Sequence, residues 1–398
     1  MAEQSGTTSR RIQELAGLLV PVVRFFDRSA RARERAGEAA CDFRAGDPQE
    51  LAPSWLVQAL QQAAIPRDAG WYAYTTELPA AQEAVAASLR ERFGIAFRPE
   101  DVALTNAAVA AIAICLQAII DPGDEVIITT PPHFLYEPLI RMPGGVAVRV
   151  PADPETFELD LDATAAAITG RTRAVLVNSP HNPTGRIYRP ETLRNLAALL
   201  TGASERNGRP IYLLSDEAYQ RVLFGEVAFE TPTAFYPRSF LIYTYGKTLL
   251  APGQRLGYIA MPPTMPNRAD LRRALSAAQL VLGWAYPTAL LQHALPELER
   301  HTIDLQALRR KRDRMVEALR AFGYELHVPE ATFYLLVRSP DPDDQAFVDA
   351  MAEDGVLLMP GGLLEAPGFF RISLTATDDM IERSLPVFER AIKERSGG

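Results

Sequence analysis

The chain has 398 residues, of which 47% are hydrophobic and 23% are charged, and its formal net charge is −8. This length and composition are typical of a soluble globular protein with two domains, one of them large. The negative charge argues against nucleic acid or an anionic membrane as a main partner. The two cysteines, Cys41 and Cys115, give no sign of a disulfide framework or a thiolate metal site.

The N-terminal segment is predicted to form an amphipathic helix. Its apolar residues recur at helical spacing, namely Ile12, Leu15, Leu18, Leu19 and Val22. The paired arginines at positions 10 and 11 resemble a twin-arginine export signal only faintly. An acidic residue follows them, and the sequence after them contains no convincing small-residue cleavage site. No apolar run is long enough to span a bilayer. We therefore expect a cytoplasmic protein.

From about residue 101 the chain alternates between strand-like and helical patterns. A loop is predicted at 42–48, an apolar helix at 109–120 and a turn at 121–124. Seven apolar runs are predicted to be strands: 102–105, 126–130, 147–150, 174–178, 211–215, 241–245 and 257–261. They are continuously apolar rather than alternating, which is typical of strands buried on both faces of a mostly parallel sheet.

Beyond about residue 290 long charged helices alternate with isolated strands. A helix is predicted at 305–322, and strands at 331–338, 355–359 and 369–374. The fold class is therefore α/β, a three-layer domain with a mostly parallel central sheet followed by a smaller α+β domain. We expect the large domain to span 51–288 and the small one 289–398, with 1–50 joining the small domain.

Lys247 is unusually placed. The chain has only three lysines, and Lys311 and Lys393 lie in charged stretches typical of solvated helix faces. Lys247 instead follows an apolar strand and the turn residue Gly246. A buried lysine has a lowered pKa and is a better nucleophile and base. It is either a lysine that reaches out of a loop to solvent or a Schiff-base lysine.

Other polar residues follow neighbouring strands at the edge where open α/β sheets bind ligands. Asn182 lies in SPHNPTG, Asp216 and Tyr219 in DEAY, and Arg255 comes eight residues after Lys247. Taken singly, NPTG is an acceptable turn and a strand-end aspartate is often a helix N-cap. The ordered combination is much less common by chance.

This combination resembles the fold-type I pyridoxal-phosphate (PLP) enzymes, specifically the class I/II aminotransferases, which are similar to aspartate aminotransferase. The resemblance extends from DFRAGDP to FFRIS and includes GKTLLAPGQRLGY, SPHNPTG and DEAY. It implies that Lys247 is the Schiff-base residue and that Asp216 holds the protonated pyridine nitrogen. It also implies that Asn182 and Tyr219 donate hydrogen bonds to the phenolate oxygen of the ring. Lys247, Asp216 and Tyr219 are thus the expected catalytic residues.

The resemblance also implies a phosphate site. Arg255 matches the phosphate-binding arginine, and Thr244 supplies a hydroxyl. The helix that starts after Asn106, Ala107 and Ala108 offers its N-terminal amides. Glycine and a hydroxyl or amide residue are frequent at these two alanines, so the backbone amides must contribute more here.

Two further contacts are implied with alternatives left open. An aromatic ring from PPHFLY stacks on the cofactor, and the register favours His133 over Phe134. The family is typically a homodimer in which a tyrosine of the neighbouring subunit reaches the phosphate. Tyr72 matches that position best, with Tyr74 as the competing register.

For the substrate, the resemblance implies an amino acid or keto acid. Its α-carboxylate binds Arg371, assisted by the backbone around Gly46 and by Asn182. As an alternative, Arg371 is simply an ion-pair partner in the small domain. Glu77 stands where the family usually has glycine, and we expect it near the entrance of the site. No second arginine can be assigned to a distal carboxylate.

The leading function is a PLP-dependent aminotransferase. The alternative is another PLP reaction at the same site, on an amino acid or an S-adenosylmethionine-like substrate: elimination or replacement, decarboxylation, or oxidation. A non-catalytic PLP-sensing module fused to a DNA-binding domain is disfavoured, because the short N-terminus leaves no room for such a domain.

Overall fold

The computed structural model describes residues 7–225 and 227–396. In these ranges the strands are β1 Cys41–Asp42, β2 Val102–Thr105, β3 Glu125–Thr130, β4 Val146–Pro151, β5 Thr172–Asn178, β6 Tyr212–Asp216, β7 Ser239–Thr244, β8 Gly257–Ala260, β9 Tyr334–Arg338, β10 Val356–Leu357, β11 Met359–Pro360 and β12 Phe369–Ser373.

The α-helices of the same ranges are α1 Arg10–Ala36, α2 Ser54–Ala63, α3 Pro79–Phe93, α4 Ala107–Ile119, α5 Tyr136–Arg141, α6 Leu161–Ala167, α7 Pro190–Asn207, α8 Tyr245–Thr248, α9 Arg268–Val281, α10 Ala289–Leu298, α11 Leu305–Phe322, α12 Asp344–Glu353 and α13 Asp378–Ser396. None of these helices is both long enough and apolar enough to cross a membrane.

A seven-stranded sheet forms the centre of the larger part, in the order β2-β8-β7-β6-β5-β3-β4. Only β8 runs antiparallel to its neighbours β2 and β7. The predicted α/β fold class with a mostly parallel sheet is confirmed. Because β5, β6 and β7 are parallel and in register, Asn178 pairs with Asp216 and Asp216 with Ile242. Their carboxyl ends therefore meet at one edge of the sheet.

Helices cover both faces of this sheet. On one face Ile128, Leu214 and Ile242 pack against the apolar helix α4. On the other face the side chains of β5 and β6 pack against α7, and those of β7 and β8 pack against α2, α3 and α10. Burial of large aliphatic side chains, at about 25 cal/mol per Å² of apolar surface, is the main stabilisation of such a layered core.

A second core lies around the three-stranded antiparallel sheet β11-β12-β9. Helices α11, α12 and α13 pack on it, and Phe25 of α1 and Phe43 enter the same core. Strand β1 pairs in parallel with β10. The N-terminal segment thus packs with the C-terminal part of the chain, whereas α10 packs with the large sheet.

The described elements differ from the sequence prediction mainly at their ends. The loop predicted at 42–48 begins one residue later, because Asp42 belongs to β1. The run at 355–359 splits into β10 and β11, and the strand predicted from residue 331 begins at Tyr334. Thr332 has a φ of +70°, which breaks the extended backbone just before β9.

Candidate active site

The polar ends of β5, β6 and β7 lie around one cavity. Asp216 is the last residue of β6, and Asn182 lies in the loop after β5. Thr244 ends β7 and caps α8, the single helical turn that carries Lys247. The hydroxyl of Thr244 accepts a hydrogen bond from the Gly246 amide at 3.3 Å. This cap fixes where the turn begins and so where the lysine projects.

The cavity encloses about 670 Å³ of space, including its open mouth. Nine of the residues expected at the site line it: Ala107, Ala108, His133, Asn182, Asp216, Tyr219, Thr244, Lys247 and Arg255. The rest of its wall consists of Val109, Ile112, Leu135, Tyr136, Leu139, Asn178, Ala218, Gly246 and Pro252. Asn106, Gly46, Tyr72 and Arg371 are not part of this wall.

Lys247 is half-buried and chemically available. Its Nζ lies 5.9 Å from the ring centroids of both Tyr219 and Phe333. Within residues 7–225 and 227–396 it has no hydrogen-bond or ion-pair partner, unlike Lys311, which donates to the carbonyl of Ala376 at 2.8 Å. An amine without a protein partner that faces a cavity is free to bind a ligand.

Asp216 is buried and held by two donors. The hydroxyl of Tyr136 donates to its Oδ2 at 2.6 Å, and the Ala218 amide donates to its Oδ1 at 3.2 Å. Burial raises the pKa of the Asp216 carboxyl, and these hydrogen bonds and the charge of Lys247 only partly oppose the rise. A cation placed against this carboxylate would compensate its burial.

Arg371 connects β12 to the cavity wall. Its Nη1 donates to Oδ1 of Asn182 at 3.1 Å, and its Nη2 donates to the carbonyl of Arg44 at 2.9 Å. Arg371 is buried, its Nε has no partner, and no carboxylate of the described residues lies within 4 Å of it. The alternative of a structural ion pair is therefore wrong. A buried cation without a counter-charge calls for an anionic ligand.

At the opposite end of the cavity Arg255 and the start of α4 come together. Arg255 is exposed and its Nη1 donates to the carbonyl of Pro252 at 2.7 Å. Ala107 has a φ of +70°, a conformation that favours glycine. Gly257 is required opposite it, because a Cβ there would lie 2.9 Å from the Cα of Ala107. Asn106 precedes the helix without capping it through its side chain.

His133 and Phe134 occupy different places. His133 lines the cavity, whereas Phe134 does not line it and stacks on His133 with ring centroids 4.6 Å apart. Burial, together with the charges of Lys247 and Arg371, lowers the pKa of His133 to about 3. The imidazole is therefore neutral at physiological pH and presents a flat, uncharged ring.

His181, which the sequence reasoning did not single out, ties two loops together. One ring nitrogen lies 2.8 Å from the hydroxyl of Thr184, and the other lies 3.0 Å from the carbonyl of Pro131. Burial lowers the pKa of His181 to about 4. A neutral ring that donates to Pro131 and accepts from Thr184 satisfies both contacts. It holds the loop of Asn182 against the loop of His133.

Tyr72, its alternative Tyr74, and Gly46 do not line the cavity. Tyr72 is 59% exposed and its hydroxyl donates to the carbonyl of Ala64, and Tyr74 is fully exposed. Gly46 lies against Tyr334 instead, beside the Arg371 end. Each of these positions was assigned by its place in a motif, which fixes chain order but not which surface a residue faces.

Glu77 requires a correction. Its Oε1 accepts from the Leu104 amide at 3.0 Å, and its Oε2 accepts from Gln82 at 3.2 Å. It lines a separate cavity beside the edge strand β2. The expectation that it lies at the site entrance is therefore wrong for this chain, because its carboxylate is used to bind backbone that β2 leaves unpaired at the sheet edge.

The donor set of the cavity fits PLP. A buried carboxylate suits a protonated pyridine nitrogen, and a free lysine amine suits an aldehyde. A hydroxyl, a guanidinium and a helix start suit a phosphate. Tyr219 and Asn182 suit the ring oxygen between these ends. The fold and this donor set together define a PLP-dependent enzyme of fold type I.

Comparisons with known proteins agree with this class. Residues 40–387 match the sequence model of the family described as aminotransferase class I and II. The aspartate/prephenate aminotransferase of Thermus thermophilus is 30% identical over 96% of this chain and 98% of its own length.

Solved structures are similar over nearly the whole chain. An aminotransferase from Eubacterium rectale has a TM-score of 0.87 and 30% identity, covering 98% of this chain and 97% of the other. A mutant of the aspartate aminotransferase of Thermus thermophilus has a TM-score of 0.84 and 29% identity, covering 96% and 99%. The chain belongs to the class I and II aminotransferase family, and it is a PLP-dependent transferase.

Proposed function

We propose that this enzyme moves an α-amino group from an amino acid to a keto acid, with Lys247 as the residue that holds PLP and relays the proton. The observation that carries the proposal is the arrangement of three groups. The free amine of Lys247 and the buried carboxylate of Asp216 line one cavity. The unpaired buried cation Arg371 joins it through Asn182.

Each residue has a role that follows from its contacts. PLP, when bound, supplies an electron sink that stabilises negative charge at the α-carbon of the substrate. Asp216 keeps the pyridine nitrogen protonated, and Tyr136 orients that carboxylate. The amine of Lys247 would hold PLP and, when free, would act as the base and acid at the α-carbon. Tyr219 and Asn182 donate to the ring oxygen.

The remaining residues position the two ends. Arg255, Thr244 and the amides after Asn106 would hold the phosphate, and His133 would offer its ring for stacking. At the other end Arg371 binds the α-carboxylate through its unpaired N–H groups, beside the backbone of Gly46.

The substrate is an α-amino acid. Relatives bear the names aspartate/prephenate aminotransferase, so aspartate and the prephenate family of keto acids lead the panel to be tested. Among the described residues Arg255 is the one arginine that lines the cavity, and it is assigned to the phosphate. We therefore propose that this chain's own residues give no strong preference for a second carboxylate.

We also propose a cytoplasmic homodimer with shared active sites and two-part subunits, in which 51–288 form the PLP domain and 289–398, with the N-terminal 50 residues, the smaller domain. Tyr72 supports the shared site, because it is exposed and outside the cavity of its own subunit. Tyr74 is the competing candidate for that contact.

The test is a spectroscopic one with purified holoenzyme. The protein should show visible cofactor absorbance that shifts when amino acids are added and returns when a keto acid follows. Lys247→Ala should abolish the shift, whereas Lys393→Ala, which removes an exposed lysine paired with Glu389, should leave it unchanged. Release of ammonia or consumption of oxygen without keto-acid exchange would place the enzyme in another reaction class.

A further inference from the structure

The helical turn that carries Lys247 is too short to hold itself in place. Helix α8 has four residues and is closed by a bond from the Leu249 amide to the carbonyl of Tyr245 at 2.9 Å. A single turn is unstable by itself, because its few hydrogen bonds do not offset the ordering of its residues. Contacts from outside the turn must therefore fix the direction in which Lys247 projects.

Tyr245, two residues before Lys247, anchors this turn from behind the cavity. It is buried, and its hydroxyl donates to Oε2 of Glu299, the residue that follows α10. Burial raises the pKa of Tyr245 well above its ordinary value, so the hydroxyl stays a donor. On the other side of the lysine, the hydroxyls of Thr248 and Tyr243 share a hydrogen bond. The turn is thus held on both sides of Lys247.

Glu299 also binds the segment that carries Tyr219. Arg221, two residues after Tyr219, donates from Nη1 to Oε1 of Glu299 at 3.1 Å. Its Nη2 donates to the carbonyls of Glu299 and His301, both at 2.9 Å. The side chains of Arg221 and Glu299 are only 13% and 7% exposed, so salt screens this ion pair little. The Glu299 carboxylate therefore joins the Tyr219 segment to the Lys247 turn.

We propose that Arg221, Glu299 and Tyr245, which lie behind the cavity wall rather than in it, act together as a clamp of positioning residues. The clamp fixes the amine of Lys247 relative to the Tyr219 hydroxyl, and it thereby sets how fast the α-proton moves. This inference rests on the proposed function, in which Lys247 is the base and acid at the α-carbon. A misplacement of about 1 Å in a reacting group costs on the order of 100-fold in rate. The affinities for PLP and substrate depend on other residues, so the clamp should act on the rate alone.

Tyr245→Phe tests the clamp, because it removes the hydroxyl that binds Glu299. It keeps the ring, whose centroid lies 5.1 Å from that of Tyr243. The wild-type holoenzyme is screened with the common L-amino acids, L-aspartate first, and the one that changes the visible absorbance fastest becomes the probe.

Single turnovers with this probe, followed by stopped flow over a range of concentrations, give the rate constant at saturation and the dissociation constant separately. In Tyr245→Phe the rate constant should fall by about 10- to 100-fold. The dissociation constants of the probe and of PLP should stay within about threefold of the wild-type values. A loss of folding stability alone would not lower a rate constant measured on folded holoenzyme.

The matched control is Tyr236→Phe. Tyr236 is also a buried tyrosine of the large part, but its hydroxyl donates to the carbonyl of Ile211 at 2.6 Å, at the amino end of β6 and away from the site. Its rate constant should equal that of the wild type.

Three results with Tyr245→Phe would overturn the inference and leave the proposed function standing: an unchanged rate constant, a fall no greater than that of the control, or a loss of probe or PLP affinity as large as the fall in rate. A wild type whose absorbance responds to no amino acid would overturn both. If Tyr245→Phe does not fold, Glu299→Gln removes the charge that the other two clamp residues bind, and an unchanged rate constant there overturns the inference.

Discussion

The hydroxyl of Tyr136 is expected to set how firmly the cofactor is bound. Tyr136→Phe removes only the donor that lies 2.6 Å from Oδ2 of Asp216 and keeps the ring, whose centroid is 5.6 Å from that of His133. A hydrogen bond to a charged group contributes about 1.5–3 kcal/mol. Since this bond lowers the pKa of Asp216, its loss should raise that pKa further.

The consequence can be measured by titrating PLP into cofactor-free protein and following the protein fluorescence. A carboxylate that ionises less readily binds the pyridinium less well, so the dissociation constant of PLP should rise by about 10- to 150-fold near neutral pH. The difference should narrow as pH rises, because Asp216 becomes ionised in both proteins.

A second tyrosine serves as the control for this titration. Tyr188 is buried and its hydroxyl has no partner within the described residues, so Tyr188→Phe should leave PLP affinity within about twofold. Equal affinities for Tyr136→Phe and the wild type would refute the reasoning, as would equal losses in the two variants.

Three further changes have defined outcomes. Arg371→Lys keeps the positive charge but removes the planar guanidinium, which binds Asn182 and is proposed to bind the substrate carboxylate. Because of this loss, kcat/KM for amino acids should fall by roughly 10- to 100-fold, with PLP affinity unchanged. Burial raises the pKa of Glu217 from 4.5 to about 8, so the folded state favours the neutral carboxyl. The free energy of unfolding should therefore be highest below pH 4.5 and should fall, by at most about 5 kcal/mol, as pH rises to about 8. Urea unfolding of Glu217→Gln should not show this fall. Ala107→Gly relieves a positive φ and should stabilise the cofactor-free protein by up to about 1 kcal/mol in the same assay.

Much of the fold could be predicted because its strands are buried on both faces. A continuous apolar run is a strong signal, and each of the seven runs overlaps a described strand in all but at most one residue. The elements that escaped prediction are held by long-range pairing. Strand β1 exists because Cys41 and Asp42 pair with Val356 and Leu357, more than 300 residues later. Nothing in a two-residue stretch indicates such a partner.

The residues of the site also fall into those that the sequence could place and those that it could not. Asn182, Asp216 and Lys247 could be placed together because parallel strands in register bring their carboxyl ends to one edge. Tyr136 could not, because its role depends on a side chain that it meets across the fold, 80 residues away in the chain. In the sequence Tyr136 is only a tyrosine among apolar residues, and this does not identify Asp216 as its partner.

The contacts of Arg371 suggest how the two parts of the subunit act on one substrate. A guanidinium has five N–H donors, and here one binds Asn182 of the large part and another binds the Arg44 carbonyl of the small part. Three remain, which is enough for a bidentate carboxylate without breaking either bond. Asp42 holds the Arg44 side chain at 2.7 Å, so the segment that orients the arginine is itself fixed. A carboxylate bound here, as we propose, would meet a preorganised cation, and little ordering would be left to oppose its binding.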